Sequence, residues 1–304
     1  MIDVLCVGDL LLDVRVGAAA ILPDGDVPGH IRIRPSGASA NAAAWAAWSG
    51  ARAAVIARIC DDLAGNLLSG ALEAAGVLAL LAVDRAAETG ATLVVTEDGE
   101  RSIVADRGAC GRLDPDDLPE RLTAHSVLVS GHLVGDPLTR PAARAAIERA
   151  HATHVAVDAA SWVQIEEVGR EAFLEATRGA TMLFANEQEA ELLAGTSADD
   201  AAEALSDAFR VVAVKLGERG AVLCWEGLVI RYEAEEVTPV DPTGAGDAFD
   251  GAFLAALAAG RSPADALHAA CAAGAWVVGS TEAWPERPAG AGGLTGATSS
   301  RSPS

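Results

Sequence analysis

The chain has 304 residues, of which 51% are hydrophobic and 21% charged, a composition typical of folded globular proteins and not of disordered ones. Acidic residues outnumber basic ones by 43 to 22, for a formal net charge of −21, and Lys215 is the only lysine. This charge disfavours binding to nucleic acid or to an anionic membrane surface. No apolar run reaches the roughly 20 residues that span a bilayer, and the first residues do not resemble a signal peptide. We therefore expect a soluble cytosolic (cytoplasmic) protein with no nucleic-acid or membrane partner.

The cysteines are scattered along the chain, and none lies in a CxxC or Cys/His cluster. Their odd number and their spacing exclude a disulfide framework and a structural zinc site. The histidines also lack carboxylates or cysteines at ligand spacing. We expect the cysteines to be small buried side chains and any metal to arrive with a substrate. The cysteines are Cys6, Cys60, Cys110, Cys224 and Cys271.

Short runs of Val, Ile, Leu and Cys alternate along the chain with longer Ala-rich stretches that carry apolar residues at helical spacing. The pattern predicts strands at residues 4–7, 53–57, 127–129, 155–158, 182–185, 211–214 and 221–225. It predicts helices at residues 39–48, 63–75, 141–150, from 187 onward, 244–258 and 263–278. This alternation is typical of an α/β sandwich with a mostly parallel sheet, whose ligands bind at the carboxyl ends of the strands.

Residues of about 14–34 and 90–105 depart from this alternation and combine β-branched residues with turn formers. We expect them to form a small β-sheet over the strand ends, a candidate lid; ordinary surface hairpins are the alternative. Residues 287–304 are mostly Gly, Ala, Ser, Thr and Pro without periodicity, which predicts a disordered tail after a single folded domain at residues 1–286.

The most informative segment is DPTGAGDAF, residues 241–249. A small-residue turn followed by an apolar helix places the backbone N–H groups of Gly244, Ala245, Gly246 and Asp247 at a helix N-terminus, where they can bind an anion. The carboxylate of Asp247 would repel a phosphate unless it has a task there, such as accepting a proton from an attacking hydroxyl. Asp is also common as a helix cap, and local chemistry leaves both interpretations open.

Two other phosphate-binding motifs are absent from the sequence. No glycine loop precedes Lys215, which excludes a Walker phosphate loop. The first predicted strand is followed by one glycine, Gly8, where a dinucleotide-binding fingerprint needs three.

Segment 241–249, together with SGASAN at residues 36–41, resembles the two signatures of the ribokinase-like, or PfkB, family of carbohydrate and nucleoside kinases. NEQE at residues 186–189 is similar to the family's N-x-x-E element, and LGERG at residues 216–220 is similar to its nucleotide-binding turn. The resemblance covers residues 2–285. It implies a three-layer α/β/α sandwich with a small β lid.

Carried over by position, the resemblance makes Asp247 the catalytic base, and it makes the amides of residues 244–247 the stabilisers of the transferring phosphoryl group. It implies that Asn186 and Glu189 help to hold a complex of Mg²⁺ with the nucleotide, Glu189 through water. Lys215 would lie close to the phosphates, where many members have Thr. A lone surface lysine is the alternative.

The nucleotide and sugar ends of the site follow from the other matched segments. Gly217 and Gly220 belong to the nucleotide-binding turn. The proposed sugar contacts are Asp13, whose carboxylate can accept bonds from two hydroxyls, Gly37, Ala38 and Asn41. Arg107 is a candidate for a contact to the substrate or to the lid. The alternatives are a solvated turn for Asp13 and a helix cap for Asn41.

The chain also departs from the family pattern. Ribokinases usually have Gly-Gly-Lys-Gly where this chain has Ser36-Gly37-Ala38-Ser39. The resemblance therefore supports membership of the family more strongly than it supports ribose as the substrate. Many members hold a monovalent cation, K⁺, between the loop containing Asp241 and a C-terminal Gly-Ala turn. Residues 280–285 read STEAWP instead, which puts that site in doubt.

The resemblance implies an ATP-dependent kinase that phosphorylates a primary hydroxyl of a monosaccharide such as ribose or 2-keto-3-deoxygluconate, with Mg²⁺ as cofactor. A nucleoside kinase of the same fold and a non-catalytic regulator that binds sugar or nucleotide are the alternatives. The lid segments contain no Phe, Tyr or Trp to stack on a base, which favours a sugar. A small sheet with one apolar face needs cover, so we expect a homodimer joined through the lids.

Overall fold

A computed structural model of the protein describes residues 1–18, 25–97 and 100–285. The strands are β1 (Ile2–Val7), β2 (Leu11–Ala18), β3 (Gly29–Ser36), β4 (Ala53–Cys60), β5 (Leu78–Asp84), β6 (Thr89–Glu97), β7 (Glu100–Gly108), β8 (Leu122–Ser130), β9 (Ala150–His151), β10 (His154–Asp158), β11 (Met182–Asn186), β12 (Val211–Lys215), β13 (Ala221–Trp225) and β14 (Leu228–Tyr232). The helices are α1 (Ala38–Trp48), α2 (Leu63–Ala75), α3 (Gly131–Gly135), α4 (Arg140–Glu148), α5 (Trp162–Val168), α6 (Arg170–Ala176), α7 (Glu187–Ala194), α8 (Ala198–Ala204), α9 (Ala245–Ala258) and α10 (Pro263–Val278).

The central sheet has the strand order β14-β13-β12-β11-β10-β8-β1-β4-β5, and β9 pairs with β8. The strands from β12 to β5 in this order pair in parallel, and β13 and β14 are antiparallel additions at one edge. The chain builds outward from β1 to β4 and β5, and then from β8 in the opposite direction. This reversal places a crevice at the carboxyl ends of β1 and β8, where parallel sheets of this kind bind ligands.

The core has two layers because the side chains of each strand alternate between the two faces of the sheet. In β1, Leu5 and Val7 pack on one face, and Val4 and Cys6 pack on the other. Helices such as α4 and α7 cover the first face, and α1, α9 and α10 cover the second. The molecule is thus the α/β/α sandwich that the sequence predicts.

A second sheet, with the order β3-β2-β6-β7, contains both segments expected to form a lid. It will be called the lid sheet. Only three residues separate the end of β1 from the start of β2, so this sheet begins at the ligand-binding edge of the central sheet. One of its surfaces exposes large apolar side chains, namely Ile31, Ile33, Leu93 and Val104, whereas Ile103 lies on the opposite face.

Helix α2 illustrates how local sequence sets an element's limits. The side chain of Asp62 accepts a hydrogen bond from the N–H of Gly65 at the start of the helix, and Gly76 ends it with φ of 76°. These are the usual cap interactions, and they reproduce the predicted range. Strand β5 and helices α5, α6 and α8 were not predicted, because short segments carry too few residues for a clear period.

The remaining structural expectations have mixed outcomes. All five cysteines are free, and Cys6, Cys110 and Cys224 are buried as expected. Cys60 and Cys271 are only partly buried. No helix in the described part of the chain has the length and hydrophobicity needed to span a membrane. The tail predicted at residues 287–304 lies outside the described residues.

Candidate active site

Four parallel strands of the central sheet end on polar residues. Ser130 ends β8, Asp158 ends β10, Asn186 ends β11 and Lys215 ends β12. Ser130 is in register with Asp158, and Asn186 is in register with Lys215. These side chains therefore line one edge of the sheet, the edge at which a ligand site is expected.

Helix α9 begins beside this edge. Gly244 precedes it in the left-handed conformation, with φ of 86°, and a Cβ atom on Gly246 would lie 3.3 Å from Nζ of Lys215. The N–H of Ala245 donates back into the preceding loop at 3.1 Å, so this one of the four predicted amides is engaged by the chain itself. The N–H groups of Gly246 and Asp247 belong to the first turn, which has no acceptors within the helix, and they are suited to binding an anion.

The carboxylate of Asp247 does not cap α9. The cap residue is Gly244, and no side chain caps this helix end. Oδ2 of Asp247 instead accepts a hydrogen bond of 2.7 Å from Nδ2 of Asn41. Burial raises the pKa of Asp247 to about 7, against the opposing effect of the Asn41 hydrogen bond, and the nearby Asp158 carboxylate adds to the rise. A carboxyl group that exchanges its proton near neutral pH is well matched to general-base chemistry.

Lys215 is largely buried and paired with carboxylates, and it is not a lone surface lysine. Its Nζ lies 3.0 Å from Asp158 and 3.1 Å from Asp250, and its side chain is 14% exposed. Burial lowers the pKa of Lys215, but the two carboxylates outweigh that effect and hold the pKa above its ordinary value. Burial raises the pKa of Asp250 well above its ordinary value, and Lys215 opposes this rise. The ammonium thus lies beside the start of α9, paired with protein carboxylates.

Asn186 and Glu189 bind each other at the start of α7. Glu189 accepts hydrogen bonds from the backbone N–H of Asn186 at 2.9 Å and from its Nδ2 at 2.7 Å, and the Asn186 side chain accepts the N–H of Glu189 at 2.9 Å. This is a capping box, an arrangement that N-x-x-E favours whatever its function. Burial, followed by the Asp158 carboxylate, raises the pKa of Glu189 to about 7.

The donor atoms around Glu189 fit a magnesium ion. Mg²⁺ prefers carboxylate and amide oxygens and keeps much of its water, so it is usually held jointly with phosphates. The Asp158 carboxylate adds to the raised pKa of Glu189, and a cation would relieve this repulsion. Within the described ranges, no three His, Cys, Asp or Glu side chains are grouped closely enough to hold a metal alone.

The turn between β12 and β13 is built on two glycines. Gly217 has φ of 59° and Gly220 has φ of 89°. A Cβ atom on Gly220 would lie 1.9 Å from the carbonyl oxygen of Tyr232, so the close approach of β14 requires glycine there. Beside this turn, the rings of Tyr232 and His268 stack with centroids 5.1 Å apart. The family resemblance predicts that this turn binds the nucleotide.

Asp13 lies within β2 of the lid sheet and not in a solvated turn. It is 4% exposed, and its Oδ2 accepts a hydrogen bond of 2.6 Å from Nε of Arg15. Its Oδ1 is buried without a hydrogen-bond partner among the described residues. The same arginine donates through Nη1 to Asp241 in the loop before α9. Asp13 therefore offers one unused acceptor oxygen next to a contact between the lid sheet and the α9 loop.

The predicted sugar contacts at residues 37–41 have other partners. The side chain of Asn41 is buried, and Trp284 donates to its Oδ1 at 2.5 Å while its Nδ2 donates to Asp247. Gly37 has φ of 110°, and a Cβ there would lie 2.4 Å from the carbonyl oxygen of Asp9. The glycine thus permits a close approach of protein backbone. Ala38 lines a cavity of about 10 Å³ together with Asp158, Asp247 and Asp250.

Arg107, at the base of the lid sheet, binds core carboxylates. Its Nη2 lies 2.7 Å from Asp9 and its Nη1 lies 2.8 Å from Asp136. Burial opposes ionisation of Asp9, but Arg107 outweighs it and keeps the pKa of Asp9 below its ordinary value. Of the two contacts expected for Arg107, substrate or lid, the structure provides the one that joins the lid sheet to the core.

The loops expected to hold a monovalent cation do not fit one. The carboxylate of Asp241 is paired with Arg15, and Glu282 in the C-terminal loop is paired with Arg34 of β3. Both anionic groups are thereby neutralised by guanidinium groups of the lid sheet. No role is assigned to a cation here.

Several residues at this site were not singled out from the sequence. Asp158 follows a buried strand, which is a usable signal for the carboxyl edge of a sheet. Asp250 lies one helical turn after Asp247, and Arg15 lies two residues after Asp13 on the same strand face. The sequence carries no signal that Trp284 contacts Asn41, because the two are 243 positions apart.

Comparisons with known proteins identify the family of this chain. The family described as pfkB family carbohydrate kinase matches residues 1–288. The 2-dehydro-3-deoxygluconokinase of Thermoproteus tenax is 30% identical over 289 residues, covering 88% of each chain. The ATP-dependent ribose-1-phosphate kinase of Halopiger xanaduensis is 32% identical over 285 residues, covering 92% of this chain and 93% of that protein.

Solved structures show the same fold. A protein from E. coli, described as a candidate ribokinase II and solved with ATP and Mg²⁺, superposes with a TM-score of 0.81 at 25% identity, over 95% of this chain and 96% of that one. The adenosine kinase of Sinorhizobium meliloti superposes with a TM-score of 0.80 at 27% identity, over 93% and 96%. The chain belongs to the pfkB family of carbohydrate kinases, phosphotransferases with an alcohol group as acceptor.

Proposed function

We propose that this protein transfers the γ-phosphate of ATP to a primary hydroxyl of a monosaccharide, with ribose, 2-keto-3-deoxygluconate or a similar sugar as the acceptor. One observation carries the proposal. The carboxyl group of Asp247 stands at the start of α9 with a pKa of about 7, bound to Asn41 and not used as a helix cap. A proton acceptor beside helix amides is the pairing that phosphoryl transfer to a hydroxyl needs.

In the proposed reaction, Asp247 accepts the proton of the sugar hydroxyl while the hydroxyl oxygen forms a bond to the γ-phosphorus. The bond from that phosphorus to the bridging oxygen breaks, and ADP leaves with the electron pair. The N–H groups of Gly246 and Asp247 stabilise the charge of the transferring group. The N–H of Ala245, which donates into the preceding loop, contributes by holding the turn before α9 in shape.

Asn186 and Glu189 are the residues that would hold Mg²⁺, Glu189 through water, and the ion would neutralise phosphate charge. Lys215 keeps a positive charge next to Gly246. Gly217 and Gly220 shape the turn that is proposed to receive the nucleotide. Support for ATP and Mg²⁺ comes from the E. coli relative solved with both.

Asp13 is the proposed anchor for the sugar, because its Oδ1 is buried and can accept a hydroxyl hydrogen bond. Arg107 and residues 37–38 contribute by holding the lid sheet and α1 around this point. Asn41 contributes by donating its hydrogen bond to Asp247. A nucleoside kinase remains the second candidate, supported by the likeness to an adenosine kinase, and the aromatic-free lid segments count against it.

We also propose that two copies associate through their lid sheets. The exposed apolar side chains on one face of that sheet, Ile31 and Val104 among them at 68% and 65% exposure, would be covered by the same surface of a second copy. Light scattering at micromolar concentration tests this, since a monomer would contradict it. Val104→Asp should convert the dimer to a monomer.

The test of the activity is ATP consumption with ribose, 2-keto-3-deoxygluconate, fructose, tagatose and a set of nucleosides. The matched control is Asp247→Asn, which keeps the shape of the side chain and cannot accept the proton. We expect one sugar to stimulate turnover and the variant to lower kcat by about 10²–10⁴-fold with ATP affinity retained. Turnover of the variant within a few-fold of the unaltered protein would refute the role of Asp247. Stimulation by nucleosides alone would establish the second candidate.

A further inference from the structure

The side-chain amide of Asn41 is held at both ends in the interior of the protein. Asn41 is 3% exposed. Its Nδ2 donates to Oδ2 of Asp247 at 2.7 Å, and its Oδ1 accepts from Nε1 of Trp284 at 2.5 Å. One buried amide therefore links the proposed base to an indole 37 residues later in the chain.

The chemistry of the two partners dictates which way the amide faces. An indole N–H can only donate, and an ionised carboxylate can only accept. The amide satisfies both when Oδ1 faces Trp284 and Nδ2 faces Asp247. The reversed amide would set its oxygen against the carboxylate and its N–H₂ group against the indole N–H, so both hydrogen bonds would be lost.

We propose that Trp284 is a positioning residue for Asp247: its indole N–H fixes the orientation of the Asn41 amide, so that Asn41 always presents a donor to the base. This inference rests on the role proposed above for Asp247, and it adds a residue from a loop that departs from the family pattern.

The loop that carries Trp284 is itself held from two sides. Nε1 of the fully buried Trp45 on α1 donates to the carbonyl of Ala283 at 2.8 Å. Glu282 forms an ion pair with Arg34 of the lid sheet. These contacts flank Trp284 immediately on its N-terminal side, so the indole is anchored both to α1 and to the lid sheet.

The pKa of Asp247 can be used to follow the orientation of the Asn41 amide, because the other groups that affect this pKa do not include Trp284. One charged or titratable group that faces Asp247 lies on its own helix, Asp250 on α9. The other four come from other elements: Lys215 on β12, Asp158 on β10, His132 on α3 and Cys6 on β1. Replacing Trp284 leaves each of these groups in place. A change in the pKa of Asp247 then reflects the hydrogen bond from Asn41, which lowers that pKa.

The test replaces the indole N–H and follows Asp247 directly. Trp284→Phe removes the donor, and incorporation of 3-benzothienylalanine at position 284 removes it while keeping the two-ring shape. The Asp247 pKa is read from carboxyl ¹³C resonances of aspartate-labelled protein, with Asp247→Asn assigning the signal. We expect both replacements to raise this pKa by about one unit, the size expected for a weakened charge-assisted hydrogen bond.

Two controls separate positioning from packing. Trp48→Phe changes an indole that packs against Trp45 at 5.1 Å and leaves both hydrogen bonds of Asn41 intact, so the Asp247 pKa should not move. In an Asn41→Leu background, Trp284→Phe should add nothing further to the shift. Once an acceptor sugar is identified, the acid limb of kcat/KM should move upward with the same pattern.

An Asp247 pKa that is unchanged by both replacements at position 284, while Asn41→Leu raises it, would overturn the inference and leave Trp284 as a packing residue. Equal shifts for Trp48→Phe and Trp284→Phe would do the same. The carboxyl titration needs no substrate. Failure of the kinase proposal would therefore appear as absent turnover in the unaltered protein, and it would be distinguished from failure of this inference.

Discussion

The ammonium of Lys215 lies 3.1 Å from the carboxylate of Asp250, which follows Asp247 by one turn of α9. The pair joins the end of β12 to the helix that carries the proposed base. Asp250 is 1% exposed, so its charge depends on a nearby cation, and Asp158 binds the same ammonium from β10. Lys215 thus pairs with two carboxylates beside the start of α9 and opposes the effect of burial on the pKa of Asp250.

Removing one member of this cluster should cost stability. Lys215→Met leaves Asp158 and Asp250 without their cation, and breaking a buried pair in this way typically costs about 3–5 kcal/mol. Asp250→Asn should cost less, because Lys215 keeps Asp158 as a partner. The double variant should lose less than the sum of the two single losses. Urea unfolding at pH 7 measures all three free energies.

The matched control for this cycle is Arg178→Met. Arg178 pairs with Glu175 on the surface, where the two side chains are 74% and 58% exposed, and such pairs contribute about 0–1 kcal/mol. Equal losses for Lys215→Met and Arg178→Met, or strict additivity in the double variant, would show that the buried cluster does not act as a unit.

Stability and activity should respond to pH in opposite directions. The pKa values of Asp247 and Glu189 are both about 7, above the ordinary values of 3.8 and 4.5. The folded protein therefore binds these protons more tightly than the unfolded chain. The sites favour folding below their ordinary pKa values, and this contribution is lost as pH rises toward 7. Proton acceptance by Asp247 requires the ionised form, so turnover should rise through the same range.

Urea unfolding at pH 5 and pH 8 tests the stability half of this prediction. Asp247→Asn and Glu189→Gln should each flatten the decrease in the free energy of unfolding between the two pH values. The kcat/KM profile tests the other half. A protein that gains stability from pH 5 to pH 8 as a result of these two groups would contradict the assigned pKa directions.

The sequence predicts the layered fold and the start of α9 well, because both rest on local patterns. Hydrophobic alternation marks the buried strands, and the small residues before Asp247 mark a helix N-terminus. The partners of Lys215 could not be predicted in this way. Asp158 and Asp250 lie 57 and 35 positions from it, and a carboxylate at a strand end has the same sequence pattern whether it meets solvent or an ammonium.

The position of Asp13 changes what its replacement should do. The sequence places Asp13 just beyond the first strand, as a sugar contact or a solvated turn residue, where its replacement should cost little stability. In the structure the residue is buried in β2 and bonded to Arg15. Asp13→Asn should therefore lower the melting temperature and also weaken sugar binding. If Oδ1 binds a sugar hydroxyl, the KM for the sugar should rise by about one to two orders of magnitude, since a charge-assisted bond contributes roughly 1.5–3 kcal/mol.

The KM for ATP provides the internal control for Asp13→Asn, because the proposed nucleotide turn lies at the β12–β13 end of the sheet. Arg15→Met provides a second control, since it disrupts the same lid contact while leaving the Asp13 carboxylate. Unaltered sugar saturation in a folded Asp13→Asn protein would place the sugar elsewhere. Equal sugar defects in the two variants would reduce Asp13 to a partner of Arg15.

We predict that turnover does not require a monovalent cation, because arginines of the lid sheet pair with the carboxylates that such an ion would contact. Asp241 would be the natural anionic ligand for such an ion, but Arg15 already neutralises its carboxylate. Burial raises the pKa of Asp241, but the Thr243 hydrogen bonds and the Arg15 guanidinium outweigh it and hold this pKa below its ordinary value. Replacing KCl by choline chloride at constant ionic strength should change kcat by less than about twofold, well under the 1.4 kcal/mol that a tenfold rate change represents. Arg15→Met exposes the Asp241 carboxylate to any available cation, so this variant should become measurably stimulated by K⁺ when the unaltered protein is not. Strong K⁺ activation of the unaltered protein, undiminished in Arg15→Met, would show that the ion binds independently of Asp241 and that the guanidinium does not take its place.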